Sequence, residues 1–362
     1  MGAELKLTDR EMPVSPVFIT FLAQVLTHRP FEGEIWAHQL SEALSRPDGN
    51  SQLRATEAAD VVMGNPIGRE FLARSYGLLY SLLAGDLAPL YELQSRYHFV
   101  GVLGVPRSGG SYLTAELYRA IGMAPENVPN ALAHDSFPEV GPFDLQPGLN
   151  SWMLSLKTMA EYLVMVEVFF SELKQHSGKV VVPKKITKGV YAGGLFRHVL
   201  GKDLEVVLTV RHPVAACASM YEKSGGLPED GRFAVRSAME GWCRRDLEYT
   251  GGGQKQLDEM DYFDVYLRYW EQYQMSVVTS GWLSNRDLRV VAFGKPALQS
   301  IAQGYHHRYG SGLQASEFHV SDKARRLHPE WIERAQPSVD RVAATWKSAG
   351  ICFPTDEVGA CW

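Results

Sequence analysis

The run Phe99-Val100-Gly101-Val102-Leu103-Gly104-Val105 constrains the fold more than any other stretch of this chain. It is short, apolar and almost without helical period, so it predicts a strand buried on both faces. A glycine-rich turn follows at once. Beyond it Leu113, Leu117 and Ile121 share one face of a helix spanning Tyr112–Ile121. A strand covered on both sides needs helices on both sides, which means an α/β architecture with a parallel sheet. Three more strands are predicted at Lys179–Val182, Leu204–Val210 and Leu288–Phe293. Helices are predicted between them at Trp152–Gln175, Tyr191–Leu200, Ala215–Glu222, Phe263–Ser280 and Pro296–Tyr309.

The texture before His98 is different. Apolar residues recur at helical spacing in Val17–Val25, Ile35–Leu44 and Phe71–Leu93, punctuated by Pro30, Gly33, Pro47-Asp48-Gly49 and Asn65-Pro66. The chain is therefore read as a helical N-terminal extension, residues 1–96, and an α/β domain, residues 97–362. The formal net charge of −5 with 21% charged residues argues against a general nucleic-acid binder. Apolar stretches such as Tyr162–Phe170, which carries Glu167, are far short of the roughly 20 residues that span a bilayer. Met1–Met12 holds no secretory signal, and Cys217, Cys243, Cys352 and Cys361 are scattered without a CxxC pair. These features point to a cytoplasmic protein with no zinc site. Glycine pairs and mixed charge in Glu222–Tyr262 suggest a lid over a second substrate.

Strand, glycine turn and helix in that order form a cradle for phosphate. The first N–H groups of a helix lack internal partners, and the helix dipole adds positive potential there. In Gly104-Val105-Pro106-Arg107-Ser108-Gly109-Gly110-Ser111, Gly104, Gly109 and Ser111 fit the spacing of the nucleoside triphosphatase loop G-x-x-x-x-G-K-[ST], but Gly110 replaces its lysine. The cation is instead Arg107, inside the loop, where a guanidinium grips two anionic oxygens at once. A second anion-binding pattern lies at the end of the third strand. Arg211 leaves that strand, Pro213 begins a helix, and Ser219 follows about two turns on. Ligands of open α/β sheets bind at such strand ends.

The loop Val105–Ser111 resembles the 5′-phosphosulfate loop of PAPS-dependent sulfotransferases, in its Pro-Arg-Ser-Gly form. Arg211, Pro213, Ser219 and Tyr221 resemble the same family's 3′-phosphate motif. The similarity covers about residues 98–225, and Phe263–Lys347 loosely. It implies a three-layer, P-loop-type parallel sheet flanked by helices, with PAPS as donor, PAP as product and no metal. It also implies contacts to the nucleotide from Arg107, Ser108, Gly109, Gly110, Ser111, Tyr112, Arg211 and Ser219. The strand Val180-Val181-Val182-Pro183-Lys184-Lys185 is similar to the family strand whose lysine stabilises the bridging oxygen. Side chains alternate across a strand, so one of Lys184 and Lys185 faces the site, and Lys185 is preferred.

The general base stays open. The family's histidine after the strand lysine is replaced by Ile186-Thr187, leaving Glu126 as first choice and His134, with its neighbour Asp135, as competitor. Lys323, Arg325 and Arg326 either complete the 3′-phosphate grip or form a solvated cluster. Trp270 packs near adenine or in the core. Phe293-Gly294-Lys295-Pro296 departs from the family's late-strand Tyr-Glu-Asp-Leu. The expected partner is a small-molecule or carrier-bound acceptor, not nucleic acid or membrane, and a homodimer is compatible with the sequence. An ATP-dependent phosphotransferase and a non-catalytic nucleotide-binding protein are the alternatives.

Overall fold

The computed structural model describes residues 14–27, 49–135, 137–138, 149–171, 178–223, 259–282, 287–310, 313–318, 320 and 328–360. The chain opens with helices α1 (Pro16–Leu26), α2 (Gly49–Gly64), α3 (Pro66–Ala84) and α4 (Ala88–Arg96). Strand β1 (Tyr97–Gly104) leads into α5 (Gly110–Ala120), a 3-10 turn at Pro125–Asn127, α6 (Asn130–Ala133) and α7 (Leu149–Phe169). Then come β2 (Val180–Lys185), a 3-10 segment Thr187–Ala192, α8 (Gly193–Leu200), β3 (Glu205–Val210) and α9 (Pro213–Lys223). The chain continues through α10 (Tyr262–Thr279), β4 (Leu288–Ala292), α11 (Lys295–Tyr309), α12 (Glu330–Ser348) and α13 (Thr355–Ala360). The expected segment Ile35–Leu44 and most of Glu222–Tyr262 lie outside the described residues, as do Lys323, Arg325 and Arg326.

The strands form one parallel sheet in the order β2-β1-β3-β4, flanked by helices. Val100 to Gly104 run in register with Glu205 to Thr209, and Val206 to Val210 with Leu288 to Ala292. Val100, Val102 and Leu103, with Val206, Leu208 and Val210, have essentially no accessible surface, as central strands under two helical layers require. Because β1 and β3 are neighbours, the connection leaving β1 runs to β2 on one side and the connection leaving β3 runs to β4 on the other. That reversal opens a crevice beyond the carboxyl ends of β1 and β3, where sheets of this kind bind ligands.

Two elements differ from expectation. The stretch of helical spacing Phe71–Leu93 is divided between two helices, α3 and α4. Gly85 ends the first in the left-handed conformation (φ 73°), and the Asp86 carboxylate accepts the Ala88 N–H (3.1 Å) to start the second. The second strand reaches Lys185 rather than stopping at Val182, since Pro183 is accommodated within it.

Two compact units make up the chain. One comprises Met1–His98, Glu126–Val182 and Val199–Gly201. In it α1 packs on α2 and α7, and α3 on α7. Asn65 caps α3, accepting the Ile67 N–H at 2.9 Å, with Pro66 in the first helical position. A buried ion pair lies inside this bundle. Ser15 donates its N–H (3.0 Å) and hydroxyl (2.5 Å) to Glu161, and Lys157 Nζ stands 3.3 Å from the same carboxylate. Burial pushes the Glu161 carboxyl above its usual range, against the opposing pull of Lys157 and Ser15.

The other unit comprises Phe99–Pro125, Pro183–His198 and Lys202–Trp362. There α11 packs against α5, and α10 against α9 and α12. Trp270 is fully buried and donates its indole N–H to the Arg211 carbonyl (3.0 Å), so of its two expected positions it occupies the core.

Candidate functional site

The turn after β1 is built by backbone constraints. Gly104 has φ 148°, and a Cβ there would stand 2.1 Å from Thr209 Oγ1 and 2.8 Å from the Thr209 carbonyl. Gly109 caps α5 at φ 89°, where a Cβ would meet Leu298 Cδ1 at 2.6 Å. Tyr273 ties the turn to the sheet, its hydroxyl accepting the Gly104 N–H (3.0 Å) and donating to the Thr187 carbonyl (3.0 Å).

Arg107 is a non-glycine residue with φ 70°, an arrangement that costs of order 1–3 kcal/mol and persists where neighbours over-determine it. Both ends of Arg107 are held. Its Nε donates to Ser219 Oγ (3.1 Å), and its carbonyl accepts from Arg211 Nη1 (2.7 Å). Arg211 is only 5% exposed at the end of β3. Its guanidinium carbon lies 4.0 Å above the Phe293 ring, and Phe293 in turn is tied to β3 by its N–H to the Val210 carbonyl (2.6 Å). Phe293 thus serves as the platform for Arg211, at the point where the sequence departs from the resembled family. Residue type alone signals nothing here, because the contact is made across 82 positions of sequence.

These residues surround a cleft of ≈ 330 Å³, within the size range of small-molecule sites. Arg107, Gly109, Gly110, Ser111, Tyr112, Lys185, Arg211 and Ser219 all line it, with Phe293, Phe318 and Val320 as apolar walls. Among the described residues the lining holds three cations and no carboxylate. The N-terminus of α5, Lys185 of β2, and Arg211 with Ser219 all face it. Lys185 reaches the helix start from β2, its Cε 3.4 Å from where a Cβ of residue 110 would be. Lys184 is 1% exposed, so strand alternation puts only Lys185 into the cleft.

Ser108 behaves differently from its neighbours. Its hydroxyl donates to the Val105 carbonyl (2.6 Å) and lies 2.7 Å from Thr209 Oγ1 in the interior between β1 and β3. Ser108 is absent from the cleft lining, and its side chain locks the turn instead. Tyr112 lines the cleft and donates its hydroxyl to the Ser316 carbonyl (3.2 Å). Burial and the nearby Glu116 push its phenol up to about 12, so it remains a donor at neutral pH and does not act as a base.

Glu126 and His134 belong to the other unit, and neither is among the cleft-lining residues. Glu126 is exposed on the 3-10 turn Pro125–Asn127. His134 follows α6, its Nδ1 2.6 Å from the Asp135 carboxylate, an arrangement that fixes the tautomer of an imidazole. No group of histidine, cysteine or acidic residues suited to a metal ion occurs among the described residues, and none of their helices is long and apolar enough to cross a membrane. No family model, curated protein or solved structure matches the chain.

Proposed function

We propose that this protein is a PAPS-dependent sulfotransferase of the P-loop type, transferring a sulfuryl group to a hydroxyl or amine of a small-molecule or carrier-bound acceptor. The observation that carries the reading is the gathering of Arg107, Lys185, Arg211, Ser219 and the α5 N-terminus on one cleft, with Arg107 bonded to both Ser219 and Arg211. Cations drawn from the turn, from β2 and from the end of β3 suit a nucleotide that carries phosphate at both its 5′ and 3′ positions. The scattered cysteines fit a reducing compartment, and cytoplasmic placement is part of the proposal.

In the reaction, the acceptor oxygen forms a bond to sulfur as the bond from sulfur to the bridging oxygen breaks. The electron pair of that bond goes to the 5′-phosphate of PAP, and the acceptor proton goes to a base. Lys185 is placed to neutralise the bridging oxygen, and Arg107 with the Gly109-Gly110-Ser111 amides to hold the non-bridging oxygens, which is electrostatic catalysis by fixed groups. Arg211 and Ser219 hold the 3′-phosphate.

A phosphotransferase is the second reading, favoured by one observation: Lys185 stands beside the helix start, where a loop lysine would otherwise serve. Calorimetric titration with PAP, ADP and ATP, each with and without magnesium, separates the two. Tight PAP binding without magnesium and weak ADP and ATP binding are expected. ATP binding as tight as PAP, restored by magnesium, would overturn the sulfotransferase reading.

A further inference from the structure

One wall of the cleft is not part of the sheet or its helices. Residues 313–318 carry Phe318 to the cleft, where its ring lies 4.6 Å from Tyr112 and 5.7 Å from Phe293. This segment has no secondary structure of its own, and residues 313–315 are exposed. Side chains of α5 fasten it at Ser316: Tyr112 donates to the carbonyl, Arg119 to the hydroxyl oxygen (3.4 Å), and Glu116 takes the most bonds. Glu116, with no accessible surface, accepts the Ser316 N–H (3.2 Å to each oxygen) and the Ser316 hydroxyl (2.5 Å). The same carboxylate takes Arg119 Nη1 (2.6 Å) and lies 3.0 Å from His306 Nε2 on α11. At the surface, Lys295 pairs with Glu317 of the same segment.

We infer that Glu116 is a positioning residue for the occupant of the cleft, acting through Ser316 to hold Phe318 as its removable wall. The inference rests on the reading of the cleft as a nucleotide site. A buried carboxylate is costly unless its oxygens are fully used, and here four donor groups use them. Two of the four come from Ser316, which has no contact with the cleft except through its own carbonyl to Tyr112. The carboxylate thus sets both the backbone that presents Phe318 and the acceptor that fixes the Tyr112 ring. The wall also reaches Arg211, because Phe318 packs on Phe293, the platform beneath that guanidinium. Loosening the segment therefore weakens retention of any nucleotide, with or without a 3′-phosphate.

The test uses the full chain and three variants, Ser316→Ala, Phe318→Ala and Glu116→Gln. Ser316 and Phe318 are partly exposed, so those two variants keep the test valid if Glu116→Gln fails to fold. Hydrogen exchange of 313–318 in nucleotide-free protein reads the anchoring. Stopped-flow release of PAP and of ADP reads its consequence. Ser316→Ala and Glu116→Gln are expected to speed exchange of the segment. All three variants are expected to raise the release rates of both PAP and ADP roughly tenfold. Faster exchange with wild-type release rates would overturn the inference and leave the nucleotide reading intact. Unchanged exchange in both Ser316→Ala and Glu116→Gln would overturn it as well. If the wild type binds neither nucleotide, the nucleotide reading itself falls and takes the inference with it.

Discussion

Replacing Arg211 with alanine tests the proposed reading of a 3′-phosphate by the cleft. The guanidinium makes three kinds of contact: a 2.7 Å bond to the Arg107 carbonyl, a stack 4.0 Å above Phe293, and an open approach to the cleft beside Ser219. A hydrogen bond to a charged group contributes about 1.5–3 kcal/mol, and a two-pronged contact with phosphate about 3 kcal/mol or more. At 1.4 kcal/mol per factor of ten, PAP affinity should fall about a hundredfold. ADP has no 3′-phosphate and should lose only what passes through the loop, where the Arg107 carbonyl surrenders one donor; less than about tenfold is expected. The preference for PAP over ADP should therefore shrink by roughly tenfold or more in calorimetry at fixed ionic strength. Equal losses for the two nucleotides would refute the assignment. They would mean that Arg211 serves only to hold Arg107 in its left-handed conformation, with no part in reading the 3′ position.

Three further outcomes are expected. Lys185→Ala should lower single-turnover sulfuryl transfer by about 10²–10³-fold while changing PAP affinity far less, because its charge is needed where the bridging oxygen becomes negative. Gly104→Ala should cost roughly 3 kcal/mol or more in denaturant unfolding, since its Cβ would press on Thr209 Oγ1 and on the backbone behind it. For Glu161 the folded-state carboxyl is shifted upward, so the folded protein holds its proton more tightly than the unfolded chain does. Stability from this group is full below the ordinary value of about 4.5 and is lost as pH rises through the raised one. Melting temperatures between pH 4 and 8 should show that loss in the wild type and a flatter profile in Glu161→Gln.

What the sequence disclosed follows a physical line. Strands buried on both faces advertise themselves as continuous apolar runs, so β1 and β3 were legible almost to the residue. Local motifs were legible for the same reason that they fold locally: eight residues carry the chain from Arg211 to Ser219, and helix geometry alone brings both to the strand end. The break between α3 and α4 was not, because apolar residues keep their helical spacing on both sides of Gly85-Asp86 and mask the stop signal. Ser108 misleads in the opposite direction. A serine in a phosphate loop suggests a ligand contact, yet its partner is Thr209, on a neighbouring strand 101 residues away. Phe293, Phe318 and Glu116 could not be read at all, since each matters through a neighbour that only the folded chain supplies.

The missing loop lysine is best understood from space rather than from sequence. In a loop with lysine at position 110, the side chain would leave the first turn of α5 toward the anion. Here Gly110 leaves that volume empty, and the Lys185 stem passes through its margin, 3.4 Å from the absent Cβ. The two residues are halves of one arrangement: a glycine that gives up the cation, and a strand-end lysine that restores it from the sheet. A cation carried on α5 would move with the helix and follow the phosphates along their length. A cation carried on β2, with its strand neighbour Lys184 buried, is fixed relative to the sheet and, in the proposed reaction, would address a single oxygen. That geometry suits transfer of one group from one bridging position. It also makes a specific demand: lysine restored at position 110 should not rescue Lys185→Ala, because the charge would return on the wrong element. Recovery of transfer in the Gly110→Lys, Lys185→Ala double variant would show that only the charge matters and that its origin in the sheet does not.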